Sequence, residues 1–283
     1  MRDTYNLDNR LLIIATDRIS AFDSVLPCGI PNKGLVLNQL SAFWFEKTKN
    51  LVPNHLIEVV NDVHCLDAYL PTESRFPYPP YLAGRSMIVK KAKRIPVECV
   101  VRGYLSGSAW AEYQQHGTVS SFLLPKGLQE SQELPQPLFT PTTKAESGHD
   151  EPINMDEMKK LVGESVAEEL EQKSLAIYNY AREYARTRGI IIADTKMEFG
   201  LENDKLILID ELLTPDSSRF WDASQYKAGQ SQPSYDKQPV RDWLTQSGWK
   251  KEPPAPMLPP EVINSTTERY QQAYERLTGT KLK

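Results

Sequence analysis

The sequence predicts a mixed fold of helices and antiparallel strands, on three observations. Residues 1–100 read mainly as short apolar strands and turns around one helix. Residues 154–188 keep apolar side chains at three-to-four spacing, the period of an amphipathic helix. Two apolar runs, 190–193 and 206–209, flank a polar, turn-forming segment at 201–205 and read as a hairpin. The 283 residues suffice for one large domain or two lobes, and 40% hydrophobic with 25% charged residues is ordinary globular composition.

In chain order, residues 11–15 form a strand running into a polar loop, 16–23, that presents Asp17, Arg18, Ser20 and Asp23. Residues 27–34 carry turn chemistry. Leu37, Leu40, Phe43, Trp44 and Leu51 lie near helical spacing and predict a helix over 35–51. A proline-rich surface loop at 71–80 precedes strands at 86–92 and 95–101, the second entering a second lobe. Residues 125–143, rich in Pro, Gln and Thr, read as an extended surface loop. Asn154 with Glu157 three residues on is a capping-box pattern, opening helical sequence that reaches Arg188 with a break near Gly163. After Trp221 come a polar loop at 226–238, a helix with Pro239 near its first turn, and a terminal amphipathic helix over 260–277. His55 and His64 are isolated and read as structural.

Composition excludes several classes. The net charge of −4 and the lack of a long basic run argue against nucleic acid as the main partner. Cys28, Cys65 and Cys99 are odd in number and lack C-x-x-C spacing, which suggests a reducing compartment and no zinc site. No apolar run approaches membrane-spanning length, and residues 11–15 are too few for a signal-peptide core, so a cytoplasmic protein is expected.

The chemistry concentrates after Gly189. Side chains in a strand repeat every two residues, so Asp194, Lys196 and Glu198 share a face. Asp210 ends the return strand and can meet Glu198 across the hairpin. Two facing carboxylates repel unless a cation lies between them, and Mg²⁺ commonly takes one or two carboxylates plus substrate phosphates. A solvated acidic hairpin fits the pair alone equally well. Hydroxyls, Asp216 and Arg219 directly after a buried strand favour a ligand site. Arg102, Ser106 and Ser108 beside Gly103 and Gly107 suit a phosphate, since glycine lets the backbone approach a ligand. The plainer reading is a strand-to-helix turn with Trp110 and Tyr113 in the core.

Five ordered motifs, TDRISAFD (16–23), IPVECVVRGYLSGSAW (95–110), FTPTTKAESGHDE (139–151), ADTKMEFG (193–200) and DELLTPDSSRFW (210–221), resemble the SAICAR synthetase family nearly end to end. The tail segments YDKQPVRDWL (235–244) and LTGTK (277–281) are most similar to its single-function fungal form. The resemblance implies a two-lobed α+β fold with a kinase-like ATP cleft. Residues 1–97 would be an antiparallel-sheet lobe and 98–283 a larger α/β lobe. It implies ATP-dependent ligation of the carboxylate of CAIR, a phosphoribosyl aminoimidazole, to L-aspartate in purine synthesis.

By this resemblance Glu198 and Asp210 hold Mg²⁺–ATP, and Lys196 neutralises the transferring phosphate or the CAIR carboxylate. Arg102, Ser108, Arg219 and Arg241 grip the CAIR phosphate and carboxylate, while Asp194 and Asp216 bond the imidazole amine and ribose hydroxyls. Asp17, Arg18, Ser20 and Asp23, with Lys144 and Asp150, line the acceptor side. The strand bearing Val97, Glu98 and Val100 carries the adenine edge. A monomer or small homo-oligomer is expected. The alternatives are a kinase-fold phosphotransferase for another acid or hydroxyl, and a non-catalytic nucleotide-binding protein. Family members precede their Arg-Asp-x-Tyr with a strand and a Gly-Lys pair, whereas MRDTY (1–5) starts inside that motif. Either the chain as written starts late, which is the expectation, or the protein lacks this phosphate cover. As written it is expected to expose an edge at 11–15, to be marginally stable and to bind ATP weakly, an N-terminally extended form being active.

Overall fold

The computed structural model describes residues 1–22, 24–144 and 150–282. The first part comprises β1 (Arg2–Leu7), β2 (Arg10–Ala15), β3 (Arg18–Ala21), β4 (Ser24–Gly29), α1 (Lys33–Thr48), β5 (Leu56–Val59) and β6 (Ser86–Lys90). Next come β7 (Lys93–Tyr104), α2 (Ser108–His116), β8 (Thr118–Val119), β9 (Phe122–Leu123), β10 (Glu133–Phe139) and β11 (Thr142–Thr143). The chain ends with α3 (Met155–Val162), α4 (Glu164–Arg186), β12 (Ile190–Glu202), β13 (Lys205–Ile209), β14 (Ser218–Asp222), α5 (Gln238–Gln246) and α6 (Pro260–Thr278).

Two antiparallel sheets form the frame. One runs β1-β2-β6-β5; the other runs β10-β7-β12-β13, with β11 added to β7 and β14 to β12. The apolar run of β2 is continuous because both its faces are buried. Ile13 and Ala15 join the main core, while Leu12 and Ile14 pack on the other side with Leu66, Tyr78, Leu82 and Ile88. The main core lies between the sheets and helices α1, α4 and α6, and holds Leu40, Trp44, Leu170, Tyr178, Met197, Phe199 and Tyr270. Gly163 separates α3 from α4 at φ 88, a conformation that glycine adopts without Cβ strain. Asn154 and Glu157 form the expected capping box.

Several expectations need correction. The edge expected at residues 11–15 is absent, because β1, built from residues 2–7, pairs with β2 along its length, and β6 covers the other side. The polar stretch 16–23 contributes a strand of the β3–β4 hairpin; Ile19, Ala21, Leu26 and Ile30 pack there against Val240 and Leu244 of α5. The proline-rich stretch 125–143 contains β10 and β11. Both lie on β7, where Pro135 and Pro137 are tolerated because an edge strand leaves some N–H positions unused.

The hairpin at the centre matches the expectation and is longer. β12 and β13 are joined through Asn203 and Asp204, both at positive φ, the geometry of a two-residue type I′ turn. β12 also pairs with β14 near its start and with β7 along most of its length. Ile190 and Ile192 face the main core with Met197 and Phe199, whereas Ile191 and Ala193 pack with Tyr104 and Trp221. Strict alternation from Ile192 would bury Asp194 in that core. A register shift between Ile192 and Asp194 resets the phase and turns Asp194, Lys196 and Glu198 outward together. Among the described residues, no helix is long and apolar enough to cross a membrane.

Candidate active site

The outward face of β12 and β7 forms the floor of a cleft with two compartments. The larger, of about 360 Å³, is lined by ten charged residues: Arg102, Lys196, Arg219, Lys237 and Arg241 face Glu98, Asp150, Asp194, Asp216 and Asp236. The smaller, of about 110 Å³, is lined by Arg2, Glu98, Lys144, Lys196, Glu198, Asp210, Glu211, Asp216 and Ser217. Glu98, Lys196, Asp216 and Ser217 line both and form the wall between them.

Register explains the larger compartment. Asp194 pairs with Arg102 of β7 on one side and with Arg219 of β14 on the other. Its carboxylate accepts from Arg219 and lies 3.6 Å from Arg102 Nη1. Arg102 also donates from Nε to Thr140 Oγ1 (3.0 Å) and from Nη2 to Ser108 Oγ (3.3 Å). Burial and the Arg219 charge lower the Arg102 pKa, while Asp194 opposes them. Gly107 lets these groups converge, since a Cβ there would lie 2.4 Å from Arg219 Nη2. Lys237 and Arg241, four residues apart at the start of α5, point to the same cleft. Arg241 pairs with Asp236 at 3.3 Å, and burial followed by Arg241 and Lys33 lowers the Lys237 pKa.

In the smaller compartment Glu98 Oε1 lies 2.5 Å from Lys144 Nζ and Oε2 lies 3.1 Å from Lys196 Nζ. Burial would raise the Glu98 carboxyl, but the two lysines outweigh it and hold it below its ordinary range. Lys144 also pairs with Glu198 at 3.0 Å. Burial and the Asp210 charge nonetheless raise the Glu198 pKa, which shows how crowded the acids are. Arg2 of β1 reaches Asp210 at 2.7 Å and Glu211 at 3.2 Å. Glu198 and Asp210 thus share one cavity: Glu198 pairs with Ile209, and Asp210 follows just past the end of β13 at φ 67. Among the described residues, no group of three His, Cys, Asp or Glu side chains is placed to hold a metal alone. Two carboxylates that repel, with a guanidinium supplying positive charge beside them, suit an ion that brings its own phosphate and water ligands.

Other expected residues lie elsewhere. Asp17 accepts from Gly34 N at the start of α1 (2.8 Å) and pairs with Arg85 (3.2 Å), so its carboxylate is a helix cap. Arg18 pairs with Asp3. Neither these two nor Ser20 lines the cleft, and Asp23 falls outside the described residues. Val97 is buried in the main core at 1% exposure, whereas Glu98 and Val100 line the larger compartment. The edge expected to take adenine is already occupied: β11 pairs with Val97 and Glu98, and Lys144 N donates to Pro96 O. His55 is buried against Phe45, and burial lowers its pKa to about 4, in keeping with a structural role. Sequence reading missed Arg2, Lys33, Asp236 and Lys237. Only Lys237 carried a usable signal, its i,i+4 spacing from Arg241.

The antiparallel scaffold thus sets a pocket of paired arginines and carboxylates beside a carboxylate–lysine pocket, with one wall between them. The SAICAR synthetase family model matches residues 1–256. A phosphoribosylaminoimidazole-succinocarboxamide synthase of Thermodesulfovibrio yellowstonii is 54% identical over 282 residues, covering 99% of this chain and 93% of that protein. One from Syntrophobacter fumaroxidans is 51% identical, covering 99% and 91%. The SAICAR synthase of Saccharomyces cerevisiae, solved with SAICAR, superimposes with a TM-score of 0.90 at 45% identity, covering 99% and 93%. A SAICAR synthetase solved with ADP gives a TM-score of 0.70 at 26% identity, covering 100% and 97%. The chain belongs to the SAICAR synthetase family. It is an ATP-dependent carbon–nitrogen ligase that joins CAIR to L-aspartate, giving SAICAR in purine biosynthesis.

Proposed function

We propose that the larger compartment binds CAIR and the smaller one the polyphosphate of ATP, with the ligation taking place across the wall they share. One observation carries this reading: Lys196 stands on that wall, lining both compartments, with half of its side chain exposed. The relatives solved with SAICAR and with ADP support it, since both ligand types occur in this fold. Arg102, Ser108, Arg219, Arg241 and Lys237 would bind the CAIR phosphate and carboxylate, with Asp194 and Asp216 on the imidazole amine and ribose hydroxyls. Glu198 and Asp210 would hold Mg²⁺, which neutralises phosphate charge when bound. Lys144 and Asp150 would lie toward the amine acceptor. Residues 1–97 would form the covering lobe and 98–283 the main lobe, in a cytoplasmic monomer or small homo-oligomer.

A carboxylate resists attack by an amine because oxide is a poor leaving group. A CAIR carboxylate oxygen attacks the γ-phosphorus, the β–γ bridge bond breaks, and ADP leaves with that electron pair. The aspartate amine then attacks the acyl carbon of the mixed anhydride. Phosphate departs with the carbon–oxygen electron pair, and the amine gives up a proton. Lys196 supplies positive charge where negative charge accumulates on the transferring oxygens, and alignment does most of the remainder.

In a coupled assay, ADP should form only when CAIR and L-aspartate are both present; steady release with either alone would contradict the ligation reading. Arg102→Ala should raise KM for CAIR by a factor corresponding to ~2–5 kcal/mol, because it removes a buried guanidinium from an anion. KM for ATP should move little. Equal losses for both substrates would place Arg102 in the fold or the nucleotide site.

A further inference from the structure

We propose that Lys33 is a positioning residue for the ligation: its buried ammonium, with the Tyr270 hydroxyl, fixes the Asp216 carboxylate in the wall between the two compartments. Lys33 is 1% exposed and does not line the cleft; its Nζ lies 2.6 Å from Asp216 Oδ2. Tyr270, also 1% exposed, donates to Asp216 Oδ1 at 2.7 Å. Three distant elements, the first turn of α1, the loop after β13 and the middle of α6, therefore meet on one side chain.

A buried ion pair is weak evidence for stability, since apolar residues of similar volume often replace one without loss. Its location suggests a different use. The larger compartment carries as many carboxylates as cations, so its basic groups would pair internally and leave little for an anionic substrate. Lys33 neutralises one of those carboxylates from behind the wall. Both Asp216 oxygens are held on the protein side, each keeping a lone pair for a substrate hydroxyl or amine. Lys237 is then left for the substrate. The turn bearing Asp216 is fixed too: Asp216 N donates to Thr214 Oγ1 at 3.2 Å, and the carbonyl of Ser217 accepts from Lys196 N at 2.9 Å. Released from Lys33, the carboxylate is free to turn toward Lys237 or Lys196 and compete with the substrate for them.

The test is steady-state kinetics with thermal melts on Lys33→Met, Tyr270→Phe, Asp216→Asn and the Lys33→Met/Asp216→Asn double variant. Lys33→Met should raise KM for CAIR roughly 10-fold while KM for ATP stays within about 3-fold. The double variant should bind CAIR no worse than Asp216→Asn, because the released carboxylate is gone. A lower Tm with KM for CAIR unchanged, or fully additive losses in the double variant, would overturn the proposal. Should Lys33→Met fail to fold, Tyr270→Phe decides. It removes one hydroxyl and keeps the ring, so roughly a 3-fold rise in KM for CAIR is expected, and an unchanged KM overturns the proposal. The inference rests on CAIR occupying the larger compartment. Arg102→Ala checks that separately: if it raises KM for CAIR and the Lys33 variants do not, only the role of Lys33 fails.

Discussion

Lys196→Met is expected to lower kcat by roughly 10²–10³-fold, the cost of removing one preorganised charge from a transition state. Methionine keeps the length of the side chain and removes the ammonium. The strand survives the change, because Lys196 pairs with Val100 of β7 and its N–H donates to Ser217 O at 2.9 Å. Glu98 loses one lysine and keeps Lys144, so the buried carboxylate is not left alone. The measurement is kcat with all three substrates saturating, beside a melting curve. A loss confined to KM for CAIR would make Lys196 a binding group with no part in phosphoryl transfer.

Asp210→Asn is expected to cost at least ~10²-fold in kcat, about 2.7 kcal/mol, with the fold intact. Asp210 sits at φ 67, a left-handed conformation that asparagine tolerates better than most residues, so the backbone is spared. Arg2 loses its 2.7 Å partner and retains Glu211 at 3.2 Å. What disappears is the charge that, with Glu198, would hold the divalent ion. The measurement is kcat as a function of Mg²⁺ concentration. Near-normal kcat at saturating Mg²⁺ would remove Asp210 from the site.

The residues behind both expectations were legible in the sequence because they are local. Alternation places Asp194, Lys196 and Glu198 on one face, and a polar turn between two apolar runs returns the chain to Asp210. The same rule gives no warning of the shift beside Asp194, without which Ile190 and Ile192 would demand the opposite phase. β10 was hidden because its prolines signal a loop unless the strand is known to lie at an edge. The resemblance placed Asp17 on the acceptor side, and nothing local shows that the start of α1 lies beside it, where Gly34 N donates to its carboxylate. Arg2 and Asp210 are 208 residues apart, and the Lys33–Asp216 pair likewise joins remote elements. Nothing local marks a basic residue at a strand or helix start as the partner of a distant acid.

The division of the cleft is tested most directly by calorimetric titration of Mg²⁺–ADP and of CAIR, separately, into the parent protein, Arg102→Ala and Asp210→Asn. Arg102→Ala should weaken CAIR by at least ~30-fold and leave Mg²⁺–ADP near its parent affinity, and Asp210→Asn should weaken Mg²⁺–ADP and leave CAIR near its parent affinity. If either substitution weakened both ligands equally in protein that melts normally, the two compartments would not be separate sites, and the assignment of CAIR to one and nucleotide to the other would be wrong.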